Sequence, residues 1–181
     1  MIFKPLTRSL PRPARVLMTT STEGEYWVQT MELVRALAPC GVHVTLAALG
    51  PPPDITQRTE AGLLRNLDLY DAPPFPEFPE TAWNRLARVG EWLLRLEDEV
   101  APDVVHLHGF LHAALPWSAP VLAMADDDRL TRWRAFHGRG TPPTLARYRE
   151  AVRAGLHAAD LVATPTRARF IALCTAYAPI P

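Results

Sequence analysis

The sequence predicts an α/β protein built on a doubly wound, mainly parallel sheet of about six strands with helices on both faces. Three observations lead there. Short β-rich apolar runs alternate with helical periodicities along most of the chain. The two earliest runs are apolar on nearly every residue, as strands covered by helices on both sides must be. Each connection is long enough to be a right-handed crossover rather than a hairpin.

The elements follow in order. Arg15-Val16-Leu17-Met18-Thr19-Thr20 reads as a first strand; after a polar loop, Trp27, Met31, Val34 and Ala38 recur at helical spacing and close on Gly41. Val42 to Leu49 is a second strand, stopped by Gly50-Pro51-Pro52-Pro53, where proline removes backbone donors. The pattern from 54 to 80 is weaker: a short helix near Gln57 to Arg65, a strand at Leu67 to Tyr70, then a proline-broken loop. Ala82, Leu86, Val89, Leu93, Leu96 and Val100 alternate gaps of four and three, the clearest amphipathic helix in the chain. Pro102-Asp103 ends it before the strand Val104-Val105-His106-Leu107-His108, and Val121 to Ala125 forms another. A helix carries Leu130 and Trp133; a second starts at Pro142-Pro143-Thr144 with Leu145, Tyr148, Val152 and Leu156 on one face. Asp160 to Thr164 is the last strand, and Thr166 to Ala176 the last helix.

Composition narrows the function classes. At 181 residues, 48% hydrophobic and 21% charged, the chain has the makings of one folded domain, expected over residues 15–181 behind a disordered tail at 1–14. Lys+Arg and Asp+Glu both number 19, so neither nucleic acid nor an anionic membrane is favoured as partner. The tail lacks the apolar stretch of a signal peptide, and no run approaches the roughly 20 apolar residues of a membrane span. A cytoplasmic protein is expected. Cys40 and Cys174 are too far apart in sequence for a metal knuckle or a redox pair and read as two buried, reduced thiols.

Ligands of such sheets bind beyond the carboxyl ends of the strands. That rule selects the loops Ser21 to Tyr26, Leu107 to Phe110, Asp126 to Arg129 and Thr164 to Thr166. No Gly-x-Gly-x-x-Gly follows the first strand, and there is no Walker loop or Gly-x-Ser-x-Gly elbow, so dehydrogenase, NTPase and hydrolase readings lack support. His106 and His108 share one side of their strand, with His112 nearby, yet no carboxylate or cysteine stands at ligand spacing to complete a metal site. One histidine is expected to pack and His108 to face the crevice; neither a metal nor a cofactor is expected. Glu23 and Glu25 read as solvated carboxylates at a helix N-terminus. Arg129, Arg132, Trp133, Arg134 and His137 make a basic, aromatic-bearing stretch, read either as a phosphate- or sugar-binding surface or as a solvated helix.

Several segments together resemble family 4 glycosyltransferases. They are Val16 to Thr20, Trp27, Glu32-Leu33-Val34-Arg35-Ala36-Leu37, Gly41-Val42-His43-Val44, Pro102 to His108, and Ala158-Ala159-Asp160-Leu161-Val162-Ala163-Thr164-Pro165-Thr166. The resemblance covers roughly residues 15 to 175 and implies the N-terminal, acceptor-side Rossmann-like domain of a GT-B enzyme, with the C-terminal donor domain absent. Transfer would retain anomeric configuration, the partners being a nucleotide sugar, a sugar-containing acceptor and a separate donor domain. The substrate-binding residues it suggests here are Gly24, Tyr26, Trp27, His108, Gly109, Asp126 and Arg132; none is assigned as catalytic. Two departures stand out. The family's glycine pair after the first strand is reduced to Gly24 between two glutamates, and Asp126 stands where the family commonly has a sugar-contacting histidine. Asp128 reads as a helix cap, and the role of Asp126 stays open. These departures favour an alternative, a non-catalytic module that binds a glycosyltransferase or a carbohydrate. Trp27, Phe110 and Trp117 are candidates for an apolar docking surface.

Overall fold

A computed structural model describes residues 14–74, 81–124, 128–138 and 140–177. The strands are β1 (Arg15–Ser21), β2 (His43–Leu49), β3 (Leu67–Asp71), β4 (Val104–His108), β5 (Val121–Met124) and β6 (Leu161–Ala163). The helices are α1 (Glu25–Leu37), α2 (Ile55–Gly62), α3 (Ala82–Val100), α4 (Arg129–His137), α5 (Ala146–Ala158) and α6 (Arg167–Tyr177). All strand pairings are parallel, and the sheet runs β3-β2-β1-β4-β5-β6, the order of a Rossmann-like fold.

Alternation along β1 explains the layers. Val16 and Met18 face one side, where Trp27, Met31 and Val34 of α1 and Ala61 of α2 cover them together with Val44 and Leu46. Leu17 faces the other side, toward Val89, Leu93 and Leu96 of α3, Leu130 of α4, Val152 and Leu156 of α5, and Leu173, Ala176 and Tyr177 of α6. The stripe expected at Val89, Leu93 and Leu96 is therefore the one that packs on the sheet.

Local chemistry sets the helix ends. Asp54 accepts from the Gln57 backbone N–H while the Gln57 side chain accepts from the Asp54 N–H, a reciprocal cap that starts α2. The Thr81 hydroxyl caps α3, which stops at Ala101 in the left-handed region, one residue before Pro102. The link from β4 to β5 has no regular helix. It is pinned instead by buried Glu97, whose Oε1 accepts from the backbone N–H groups of Ser118 and Ala119, both at 2.9 Å.

Two expectations are corrected. Cys40 is exposed, because it lies on a 3-10 turn beyond the end of α1, and Cys174 is only half-buried; both are free thiols. Trp27 and Phe110 are buried, and Trp117 is half-buried against the core with its indole N–H donating to the His112 carbonyl, so these rings build the interior rather than a docking patch. Among the described residues, no helix is long and apolar enough to cross a membrane.

Candidate functional site

The strand order reverses between β1 and β4, the switch point beyond whose strand ends such a sheet has its ligand crevice. β1 and β4 run in register with Met18 opposite His106. His106 and His108 therefore project on the side that α1 covers, and their rings stand 5.2 Å apart.

The two histidines differ. His106 is 4% exposed, and its Nε2 has no hydrogen-bond partner among the described residues. Burial, then the neighbouring charge of His108, pushes its pKa down to about 4, so it is neutral at pH 7. His108 is half-buried at the strand end. Its backbone N–H donates to the Thr19 hydroxyl at 2.9 Å, and its Nδ1–H donates to the Thr19 carbonyl at 2.5 Å. A carbonyl can only accept, so Nδ1 carries a proton, and in the neutral form of the ring the lone pair is on Nε2. Thr19 thus fixes both the position and the tautomer of His108.

The loop after β1 supplies the opposing wall. Gly24 precedes α1 with φ 68° and ψ −149°, a conformation open in practice only to glycine. Tyr26, in the first turn, meets His108 edge-on with ring centroids 6.2 Å apart. Buried Thr20 and Thr30 share a hydroxyl–hydroxyl hydrogen bond of 2.8 Å that ties α1 to β1 behind it. Gly109 continues β4 at φ 103°, its N–H donating to the Met124 carbonyl at 2.9 Å.

Tyr26 and His108 are thus brought together, with Gly24 in the loop after β1 and Gly109 directly after β4. Trp27 turns into the core, its indole N–H donating to Glu60 at 2.8 Å. Arg132 lies on α4, in a separate groove. Asp126 lies outside the described residues. Asp128 caps α4 as expected, accepting from the Thr131 N–H at 2.7 Å, and it also takes the hydroxyls of Tyr177 and Tyr148. Glu23 and Glu25 are exposed beside Gly24. Among the described residues, no group of three or more His, Cys, Asp or Glu gathers as a metal site; His112 instead donates to the Leu86 carbonyl. Sequence reasoning missed Thr19. Its signal was a polar residue at the end of a strand otherwise buried on both faces.

The family model described as glycosyl transferase 4-like domain matches residues 24–169. No curated protein matches the sequence. Among solved structures, a UDP-N-acetylglucosamine 2-epimerase is similar at 20% identity and TM-score 0.59, over 90% of this chain and 45% of that one. UGT89C1 of Arabidopsis thaliana, complexed with quercetin, is similar at 11% identity and TM-score 0.59, over 94% and 48%. UGT73P12 of Glycyrrhiza uralensis, complexed with glycyrrhetinic acid 3-O-monoglucuronide, is similar at 10% identity and TM-score 0.56, over 84% and 44%. The likeness is one of fold, and the chain spans less than half the length of these structures.

Proposed function

Because this chain belongs to the glycosyl transferase 4-like domain family, we propose that it is the acceptor-side half of a retaining, nucleotide-sugar-dependent glycosyltransferase of GT-B type, inactive until a second domain, in cis or in trans, brings the donor. The observation that carries this reading is His108, held at the β1–β4 crevice in one tautomer by Thr19 and faced by Tyr26. Its Nε2 would accept a hydrogen bond from the acceptor hydroxyl. The contribution of this half is positioning, which converts an encounter of two substrates into an oriented one.

Exposed Glu23 and Glu25 on either side of Gly24 favour the second reading, a module that binds a glycosyltransferase or a carbohydrate without catalysis. Carboxylates repel an incoming diphosphate, most strongly once water is excluded.

Titration of the chain with UDP, UDP-glucose and GDP-mannose, beside a sugar-transfer assay with and without a fused donor domain from the family, separates the two. The expected result is no turnover by the chain alone, transfer by the fusion, and a loss of about a hundredfold in the fusion's rate with His108→Ala, the order expected when a positioning contact is lost. Micromolar nucleotide binding with turnover by the chain alone overturns inactivity in isolation. No transfer by a folded fusion selects the non-catalytic module.

A further inference from the structure

Helix α4 has two working faces. Leu130 is fully buried, and Arg134 turns back to the carbonyls of Gly140 and Thr175 and the hydroxyl of Thr141. Arg129, Arg132, Trp133 and Phe136, spaced i, i+3, i+4 and i+7, share the other face. With Pro142, Thr144 and Leu145 they line an open groove of about 560 Å³.

Among the described residues that line the groove, the charged ones are Arg129 and Arg132. The Trp133 ring stacks on His137 at 4.8 Å and 12°, and its far edge lies close to Gly140, where a Cβ would come within 3.5 Å. Phe136 is 81% exposed, a placement that makes no contribution to the core. Arg129 is anchored from behind: its backbone N–H meets the Tyr148 hydroxyl at 3.4 Å, and its guanidinium stands 5.8 Å from that ring. None of the described lining residues is acidic. Asp128, next to Arg129 in sequence, is 5% exposed and turned inward onto Tyr148, Tyr177 and Thr131.

We propose that this groove binds a small organic oxyanion on a flat apolar body, of the kind an aryl phosphate represents, with Arg129 and Arg132 on the oxyanion and Trp133 and Phe136 on the rings. Arginine is the residue suited to both tasks, since its planar fork pairs with an oxyanion and stacks on aromatic faces. A concave groove of this volume fits a small molecule, whereas a membrane-reading helix presents a convex face. Arg129 follows Met124 at the end of β5 by five residues, so it lies within about 18 Å of the carboxyl end of the sheet. Building on the reading of the preceding subsection, the bound oxyanion is the acceptor.

The full chain is titrated with 2-naphthyl phosphate, 2-naphthol and inorganic phosphate. The expected result is saturable binding of 2-naphthyl phosphate, about tenfold or more tighter than either fragment and weakened by added salt. The variants Arg129→Gln with Arg132→Gln, and separately Trp133→Leu, should each weaken it by about tenfold or more with an unchanged far-UV circular dichroism spectrum. Equal affinity for 2-naphthol, or unchanged binding by the double-arginine variant, overturns the proposal. So does binding to vesicles of phosphatidylcholine and phosphatidylglycerol with no saturable binding of 2-naphthyl phosphate, which assigns the face to a membrane. Saturable binding lost in these variants, together with a fusion that transfers no sugar, supports the groove and overturns its assignment to an acceptor, so the two readings fail separately.

Discussion

Protonating His106 means placing a charge in a site that is 4% exposed, with no partner among the described residues for Nε2. Its pKa falls from 6.5 in the unfolded reference to about 4, chiefly through burial. The unfolded chain therefore binds the proton first as the solution is acidified. The stability that rests on the neutral ring is fully present above pH 6.5 and drains away as pH falls toward 4. The linked free energy is on the order of 3 kcal/mol. Urea melts of the wild type and of His106→Leu between pH 7 and pH 4.5 check this, and the variant should lose most of the acid-side slope. An equal slope in the two proteins removes His106 as its source. His112, whose pKa burial also lowers, contributes with the same sign and leaves a residual slope.

At the scale of elements, α5 sits unusually close to the chain that follows β4. A Cβ placed on Gly155 would lie 2.0 Å from the Phe110 carbonyl oxygen and 2.9 Å from its carbon. Two effects of Gly155→Ala oppose each other. Alanine favours an α-helix by about 1 kcal/mol over glycine. Relieving a backbone clash of this depth requires α5 or the Phe110 segment to shift, an overpacking cost of about 3 kcal/mol or more. Sterics therefore wins, and a net loss of about 2 kcal/mol is expected in a denaturant melt. Gly109 and His108 immediately precede Phe110, so the same variant should also displace the crevice wall. A melting midpoint equal to or above the wild type's contradicts the packing described. Glu97 holds the far end of that segment through Ser118 and Ala119, which ties α3 to the same wall.

For the whole molecule, the two cores meet at β1, which gives Val16 and Met18 to one and Leu17 to the other. Neither layer can leave without uncovering that strand. Unfolding should be one cooperative transition, with far-UV circular dichroism and tryptophan fluorescence coinciding, since Trp27 reports on one layer while Trp92 and Trp117 report on the other. Separate transitions for the two probes contradict that coupling.

Much of this architecture was legible in the chain because its signals are local. Periodicity placed Val89, Leu93 and Leu96 on one face of α3, proline and glycine marked where strands end, and an acid ahead of a helical run identified Asp128 as a cap. The strand-end rule also selected the loops that carry Gly24, Tyr26, His108 and Gly109. What the sequence could not determine depends on residues far apart along the chain. The burial of Trp27 and Phe110, the exposure of Cys40, the grip of Thr19 on His108 and the contact between Gly155 and Phe110 exist only once layers are stacked. The same holds for the groove on α4, where residues from two segments close around one space. Local propensity fixes which elements form, whereas packing decides which side chains are left facing a ligand.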